Sequence, residues 1–329
     1  MSLYGFQVLD KVLEQGSYAK AAKLLHMTSS AISHIIVKLE DEVGFQLLNR
    51  DRNGVSLTGA GQVLMPYIKD LLHTNENLNQ AISEMHGLEK GIVRIGSFNS
   101  AIVQWLPPII RYFHAEYPGI EIQVTHGGYE DLIMWMNSNL IDIAFMSEIS
   151  EPERNLKDAE VIPLYDDRFM CVTPMDFRPE HEDYVTVDDI RDMPLIMQDG
   201  SFNQEAKYFL DKYELSSKSS FAISGDDGII AMVKAGFGIY IMTELVVSGI
   251  PGDYKAFPIV PEEYRHIVLC VNTQQVPTPA VALMRDQIVR YVGGLEDGVA
   301  ATGGMAAGEP PADEPAEGGP AAGGSETEE

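Results

Sequence analysis

The sequence predicts a protein of the α + α/β class, in which a small helical domain and one long helix precede an α/β domain. Three observations carry this. Residues 3–43 hold three short apolar patterns at helical spacing, with a tight polar turn between the second and third. Residues 59–86 carry a single long apolar stripe. From residue 92 onward, strand-like and helix-like runs alternate, which is the pattern of a sheet covered by helices.

The first helix rests on Leu3, Phe6, Leu9, Val12 and Leu13, and Gly16 stops it. Ser17 caps a second helix, Tyr18 to Leu25, that buries Ala21, Ala22 and Leu25. After the turn His26-Met27-Thr28, a third helix runs from Ser29 to about Val43, with Ala31, Ile32, Ile35, Ile36, Leu39 and Val43 on its apolar face. Gly44 ends it. This is a helix-turn-helix arrangement. Leu47 to Leu57 then reads as a hairpin, signalled by Asn53-Gly54, because both residues tolerate positive φ. A hairpin placed directly after a helix-turn-helix is a wing.

Thr58 caps the long helix, striped by Val63, Leu64, Tyr67, Ile68, Leu71, Leu72, Leu78, Ile82 and Met85. Such a stripe must be covered, by its own chain or by a second copy, and its place after a wing favours the second copy. Gly87 to Gly91 is a hinge. Strands are expected over 92–97, 120–126 and 141–147, with helices over 101–117 and 129–139, so that this βαβαβ run forms a parallel sheet. A second set has strands near 168–173, 195–198, 221–224 and 239–242 and helices near 203–213 and 228–235, closed by a strand at 267–271 and a helix at 280–292. Residues after Gly293, rich in Gly, Ala, Pro and Glu, lack a periodic apolar face and are expected to be disordered.

The 329 residues carry a formal net charge of −26, which by itself argues against a nucleic-acid binder. The distribution matters more. Residues 1–90 hold 8 Lys+Arg and 10 Asp+Glu, a net of only −2, whereas residues 293–329 hold 9 acids and no base. The acidity therefore belongs to the α/β part and the tail. No secretory signal opens the chain, and no run approaches the roughly 18 apolar residues of a membrane span, so a cytoplasmic protein without membrane contact is expected. Cys171 and Cys270, each inside an apolar run, read as buried structural thiols.

Residues 3–61 resemble the DNA-binding domain of the LysR-type transcriptional regulators. The resemblance rests on Gly16-Ser17-Tyr18, Ala21-Ala22, Leu25, Ala31-Ile32-Ser33, Ile36, Leu39-Glu40, Gly44, Leu47-Leu48-Asn49-Arg50, Leu57-Thr58 and Ala60-Gly61. It continues more loosely to about residue 292, through Ile95-Gly96, Leu106-Pro107, Tyr117-Pro118, Asp142-Ile143-Ala144, Pro194-Leu195-Ile196 and Val233 to Ile239. Where the family's third helix opens Gln-Pro and later carries a base, this chain has Ser29, Ser30 and His34, and the phenylalanine before the wing arginine is Leu48. The resemblance implies a winged helix-turn-helix (1–58), a linker and dimerisation helix (59–86), a hinge (87–91), an effector domain (92–292) and a tail (293–329). It also implies that the effector domain has two lobes, like periplasmic binding proteins, with lobe one at about 92–163 and 266–292 and lobe two at about 164–265. The implied partners are double-stranded promoter DNA, a small-molecule effector, further copies of the chain in a homodimer or homotetramer, and RNA polymerase.

On this reading the third helix enters the major groove, where Ser29, Ser30, Ser33 and His34 face base edges. Hydroxyls and one imidazole discriminate less than bidentate Arg, Asn or Gln, so DNA shape and half-site spacing supply more of the specificity. Lys20, Thr28, Lys38, Arg50 and Arg52 are the candidate phosphate contacts, with capping the alternative role for Thr28 and Ser29. In the α/β domain a ligand is expected at strand ends. The first of these, Ser97 to Ser100, offers Phe98, Asn99 and Ser100, and others offer Thr125, Ser147 and Gln198. The resemblance places Ser100, Ser147 and Gln198 on pocket walls. Free N–H groups there suit a carboxylate or another anion, although few Arg or Lys flank these ends. Asp199 and Asp226 border the same region, where turn roles are the simpler reading.

An enzyme is the first alternative, but no nucleophile–base pair, metal cluster or phosphate-cradling glycine motif stands out, so no catalytic residue, metal or cofactor is expected. Gly236-Phe237-Gly238 ends in a strand rather than opening a helix. A free solute-binding protein would account for residues 92–292 and leave the first ninety unexplained.

Overall fold

The computed structural model describes residues 2–51, 54–85, 90–198, 204–215, 222–223, 225–274 and 276–301. At the N-terminus α1 (Leu3–Gln15), α2 (Tyr18–Leu24) and α3 (Ser29–Val43) pack around Val8, Leu9, Val12, Ala21, Ala22, Ile32, Ile36 and Leu39. Gly16 and Gly44 end α1 and α3 in the left-handed region, at φ 58° and 80°, where a side chain would be strained. The wing is an antiparallel hairpin of β1 (Leu48–Asp51) and β2 (Gly54–Leu57), paired from Leu48↔Leu57 to Asp51↔Gly54. Glu40 of α3 ties the hairpin down, accepting from the backbone N–H groups of Leu47 (2.7 Å) and Leu48 (3.1 Å).

The long helix α4 spans Gly59–Met85. Thr58 starts it, accepting from the Gly61 N–H at 3.0 Å and donating to the Gln46 carbonyl at 2.6 Å. Gly61 is required there, because a Cβ would sit 2.2 Å from the Leu47 carbonyl oxygen. The stripe divides in two. Leu64, Met65, Ile68 and Leu72 pack onto the N-terminal core, while Val63, Tyr67, Leu71, Leu78 and Ile82 remain exposed.

Next come β3 (Gly91–Ser97), α5 (Asn99–Gln104), α6 (Leu106–Glu116), β4 (Ile120–His126), α7 (Tyr129–Asn137), β5 (Ile143–Ser147) and α8 (Pro152–Asn155). The single helix expected over 101–117 is two, broken at Trp105, because Pro107 and Pro108 lack the N–H groups that would continue the first into the second. The long strand β6 (Ala159–Thr173) begins nine residues before its expected start, since Pro163, Asp166 and Asp167 interrupt the apolar pattern that marks a strand. The chain continues with β7 (Val185–Thr186), α9 (Val187–Ile190), β8 (Met197–Gln198), α10 (Gln204–Lys212), β9 (Ala222–Ile223), α11 (Asp226–Lys234), β10 (Tyr240–Thr243), α12 (Glu244–Val247), β11 (Lys255–Val260), β12 (Tyr264–Asn272) and α13 (Pro279–Ala301). Helix α13 passes Gly293, where disorder was expected to begin. Ile288, Val292 and Leu295 anchor it on the core, and the turns beyond follow a helix already nucleated. The remainder of the expected tail lies outside the described residues.

The sheet is mixed rather than parallel throughout. Its order is β4-β3-β5-β12-β6-β11-β7, with β10 also beside β6. Strand β3 is parallel to β4 and β5, whereas β12 is antiparallel to β5 and β6. Two bodies of core hang on it. The first half of β6 packs with Ile95, Phe113 and Phe145, and its second half, from Phe169, packs with Phe209, Ile230 and Ile241. Strands β6 and β12, paired from Ala159↔Asn272 to Arg168↔Tyr264, thus run from one lobe into the other. Asp167 and Arg265 face each other at the crossing. Cys171 and Cys270 are buried free thiols, and burial pushes Cys270 up to about 12, so neither is poised as a nucleophile.

Candidate functional site

Two places gather chemistry. The first is the outer face of α3. Burial of Ile32, Ile36 and Leu39 turns Ser30, His34 and Lys38 outward at four-residue intervals, and Ser29 is exposed at the helix start. Ser33 is half-buried on the flank of this face and is engaged within the chain. Thr28 is the N-cap, its hydroxyl accepting from the Ala31 N–H at 3.1 Å. Lys20 is exposed on α2. The backbone of Arg50 lies in β1, while its side chain and all of Arg52 fall outside the described residues. The face is polar, carries one lysine and ends in Asp41 and Glu42, so its attraction for phosphate is local and modest.

The second place is a cavity of about 90 Å³ at the crossing of the lobes. Phe98, Asn99 and Ser100 line it from lobe one, as their position after β3 suggested. Gly127, Gly128 and Tyr129 join them, and Glu205, Asp226, Tyr240 and Thr243 close it from lobe two. Thr125 is not there: it is exposed on β4 and borders a different depression. Ser147, fully buried, stands behind the lining, where it hydrogen-bonds Tyr129 and accepts from the Ile149 N–H at 3.3 Å. Gln198 has its backbone in β8, and its side chain lies outside the described residues, as does Asp199.

Arg265 organises the cavity. It is 4% exposed and lies 4.6 Å from the Phe98 ring centroid. It donates to Asp167 through Nε at 3.1 Å and again through its terminal nitrogen, to Glu205 at 3.2 Å, and to Ser100 Oγ at 3.1 Å. Burial opposes its charge, but Asp167, Tyr129 and Glu205 outweigh that and hold it firmly protonated. The Tyr129 hydroxyl donates to Glu205, so one carboxylate on α10 binds groups of both lobes. Burial, followed by the nearby Glu205, raises the Tyr129 phenol far above its usual range, and burial raises Asp226, which the Asn99 amide partly offsets. Arg265, Tyr129 and Glu205 escaped the sequence reading because each sits alone among unremarkable neighbours. Only the strand crossing brings them together.

A further cluster joins α4 to lobe one. His73 Nε2 lies 3.5 Å from Asp142, which also accepts from the Arg94 N–H at 2.7 Å. Arg94 pairs with Glu76, and the Asn139 amide donates to Asp70 at 2.8 Å. These six side chains, three on α4 and three in lobe one, fix the orientation of the helix against the lobe.

Among known proteins, the profile described as "Bacterial regulatory helix-turn-helix protein, lysR family" matches residues 3–62, and "LysR substrate binding domain" matches residues 86–293. The HTH-type transcriptional regulator YvbU of Bacillus subtilis (strain 168) is 28% identical over 289 residues, covering 86% of this chain and 96% of its own. The HTH-type transcriptional activator CmpR of Synechocystis sp. (strain ATCC 27184 / PCC 6803 / Kazusa) is 26% identical over 267 residues, 78% of this chain and 86% of its own. Among solved structures, CbnR, described as a LysR family transcriptional regulator, shares the fold at a TM-score of 0.63 and 17% identity, over 89% of this chain and 99% of its own. CbnR has also been solved full-length in complex with its target DNA, with a TM-score of 0.51, 18% identity and coverage of 89% and 100%.

Proposed function

The chain belongs to the family of LysR-type transcriptional regulators, DNA-binding proteins with a substrate-binding domain, and we propose that here a small molecule seated between the lobes sets how the α3 face engages promoter DNA. The observation that carries this is the Arg265–Glu205–Tyr129 junction, a polar lock on a cavity between lobes, set on the strands that join them. A molecule entering the cavity must share or displace those bonds, which gives it different contacts in two lobe arrangements. The family is one of regulators rather than enzymes, and this chain is read the same way, acting in the cytoplasm. No described helix is long and apolar enough to cross a membrane.

Ser29, Ser30, Ser33 and His34 are assigned to base edges and Lys20, Lys38, Arg50 and Arg52 to phosphates. Thr28 supports the helix as its cap and reaches phosphate only through that position. Phe98, Asn99 and Ser100 are assigned to the effector, with Ser147 supporting Tyr129. The exposed residues Val63, Tyr67, Leu71, Leu78 and Ile82 form an uncovered apolar side of α4, and its occupant is read as the same side of a second copy. The homodimer then presents two α3 helices to successive major grooves. Contact with RNA polymerase follows from the regulatory role.

Titration of the full chain against its own upstream DNA by fluorescence anisotropy tests this. Lys38→Ala should weaken binding about equally on all sequences and lower the magnitude of the salt slope by about 1. Wild-type binding no tighter to that DNA than to random duplex would contradict it.

A further inference from the structure

Charge inside the cavity points away from an anionic ligand. Of its described lining residues, three are charged: Glu205, Asp226 and Arg265. The guanidinium is already matched by Asp167, which is 0% exposed, before Glu205 is considered. Glu205 and Asp226 therefore leave the cavity negative. A carboxylate entering it would meet two carboxylates and, among the described lining residues, no unmatched cation. Helix α5 is a six-residue element whose start offers little to offset this.

A second observation is independent of charge. The remaining walls are aromatic, from Phe98, Tyr129 and Tyr240, and aromatic faces attract cations.

We propose that the effector is a small organic ammonium compound, held by Asp226 and Glu205 and enclosed by the aromatic walls. Its ammonium supplies the N–H donors that the two carboxylates can accept. On a scale where one water occupies roughly 10–15 Å³, the cavity suits roughly six to nine non-hydrogen atoms. Binding also has a pH signature. Burial holds the Asp226 carboxyl above its usual range, so protons compete with the ligand as pH falls toward that raised value.

This inference rests on the cleft being the effector site, and the experiment separates the two. The full-length chain is titrated calorimetrically, with thermal shift in parallel, using methylammonium, butylammonium and tetramethylammonium, and using butyrate and butanol as anionic and neutral matches. At least one ammonium compound should bind in the millimolar range or tighter and raise the melting temperature, and butyrate and butanol should not. Asp226→Asn and Glu205→Gln, each checked for native circular dichroism, should weaken ammonium binding tenfold or more, and wild-type affinity should fall on acidification. Absence of ammonium binding, or butyrate binding that tightens in Glu205→Gln, overturns the proposal. Thr243→Phe fills the cavity. Butyrate binding lost in that variant would reject the cation and keep the cleft, whereas ammonium binding that survives both Asp226→Asn and Thr243→Phe would reject the cleft as well.

Discussion

Arg265 and Asp167 show how one ion pair ties the stability of the protein to the geometry of its cleft. Asp167 is fully buried and also accepts from the Leu245 N–H at 2.9 Å, so removal of its guanidinium strands an ionised carboxylate in the protein interior. Arg265→Met should cost about 3–5 kcal/mol in chemical denaturation. Adding Asp167→Asn should restore part of that, because a neutral amide tolerates burial far better. A smaller loss for the single variant than for the double would contradict the assignment. Neither residue drew notice in the sequence, since an Arg and an Asp separated by 98 positions declare a partnership only once β6 and β12 are paired. Asp226 was legible at the border of the cleft, with a turn role the simpler reading, because its exact place on the cavity wall depends on how the lobes close. Phe98, Asn99 and Ser100, by contrast, line the cavity where the strand-end rule, joined for Ser100 by the resemblance, expected them.

Among elements, α3 and α4 were the most legible because their periodicity is long and their caps are chemical. Thr28→Ala removes the cap bond of α3 and should destabilise the N-terminal domain by about 1 kcal/mol, measured as a lower denaturation midpoint. For α4 the exposed apolar side predicts that Leu71→Glu converts a dimer to a monomer in sedimentation, and an unchanged sedimentation coefficient would place the interface elsewhere. His73 links this helix to lobe one and has a pH consequence. Burial, with help from Arg94, lowers its imidazole below 6.5 despite Asp142, Glu76 and Asp70 nearby. The unfolded chain therefore takes up the proton first, so the stability this ring contributes is present above about pH 6.5 and is lost as pH falls through the lower folded value. The melting temperature of the wild type should drop on acidification from pH 7, and His73→Gln should flatten that drop. Strand β6 was half-missed for the opposite reason, as Pro163, Asp166 and Asp167 break the alternation that identifies a strand while serving the lobe crossing.

At the scale of the whole molecule, charge is divided by task. The first ninety residues are near neutral at −2 within a chain of −26, so the N-terminal domain approaches phosphate without the repulsion the total would suggest. The mixed sheet, unforeseen from a βαβαβ run, matters because antiparallel β12 and β6 are what carry the chain between lobes and place Arg265 at their junction. Contacts link the cavity to the N-terminal core in sequence: Arg265 at the cavity, the sheet and Asp142 before β5, His73 on α4, and α4 on the N-terminal core. The central claim is that the state of the cleft is read out at DNA. Footprinting of the full-length wild type and Glu205→Gln on the DNA upstream of the gene tests it most directly. Both should protect that DNA, with the extent or spacing of protection altered in the variant whose lobe junction has lost its charge. Identical footprints, or no protection by the wild type, would contradict the account.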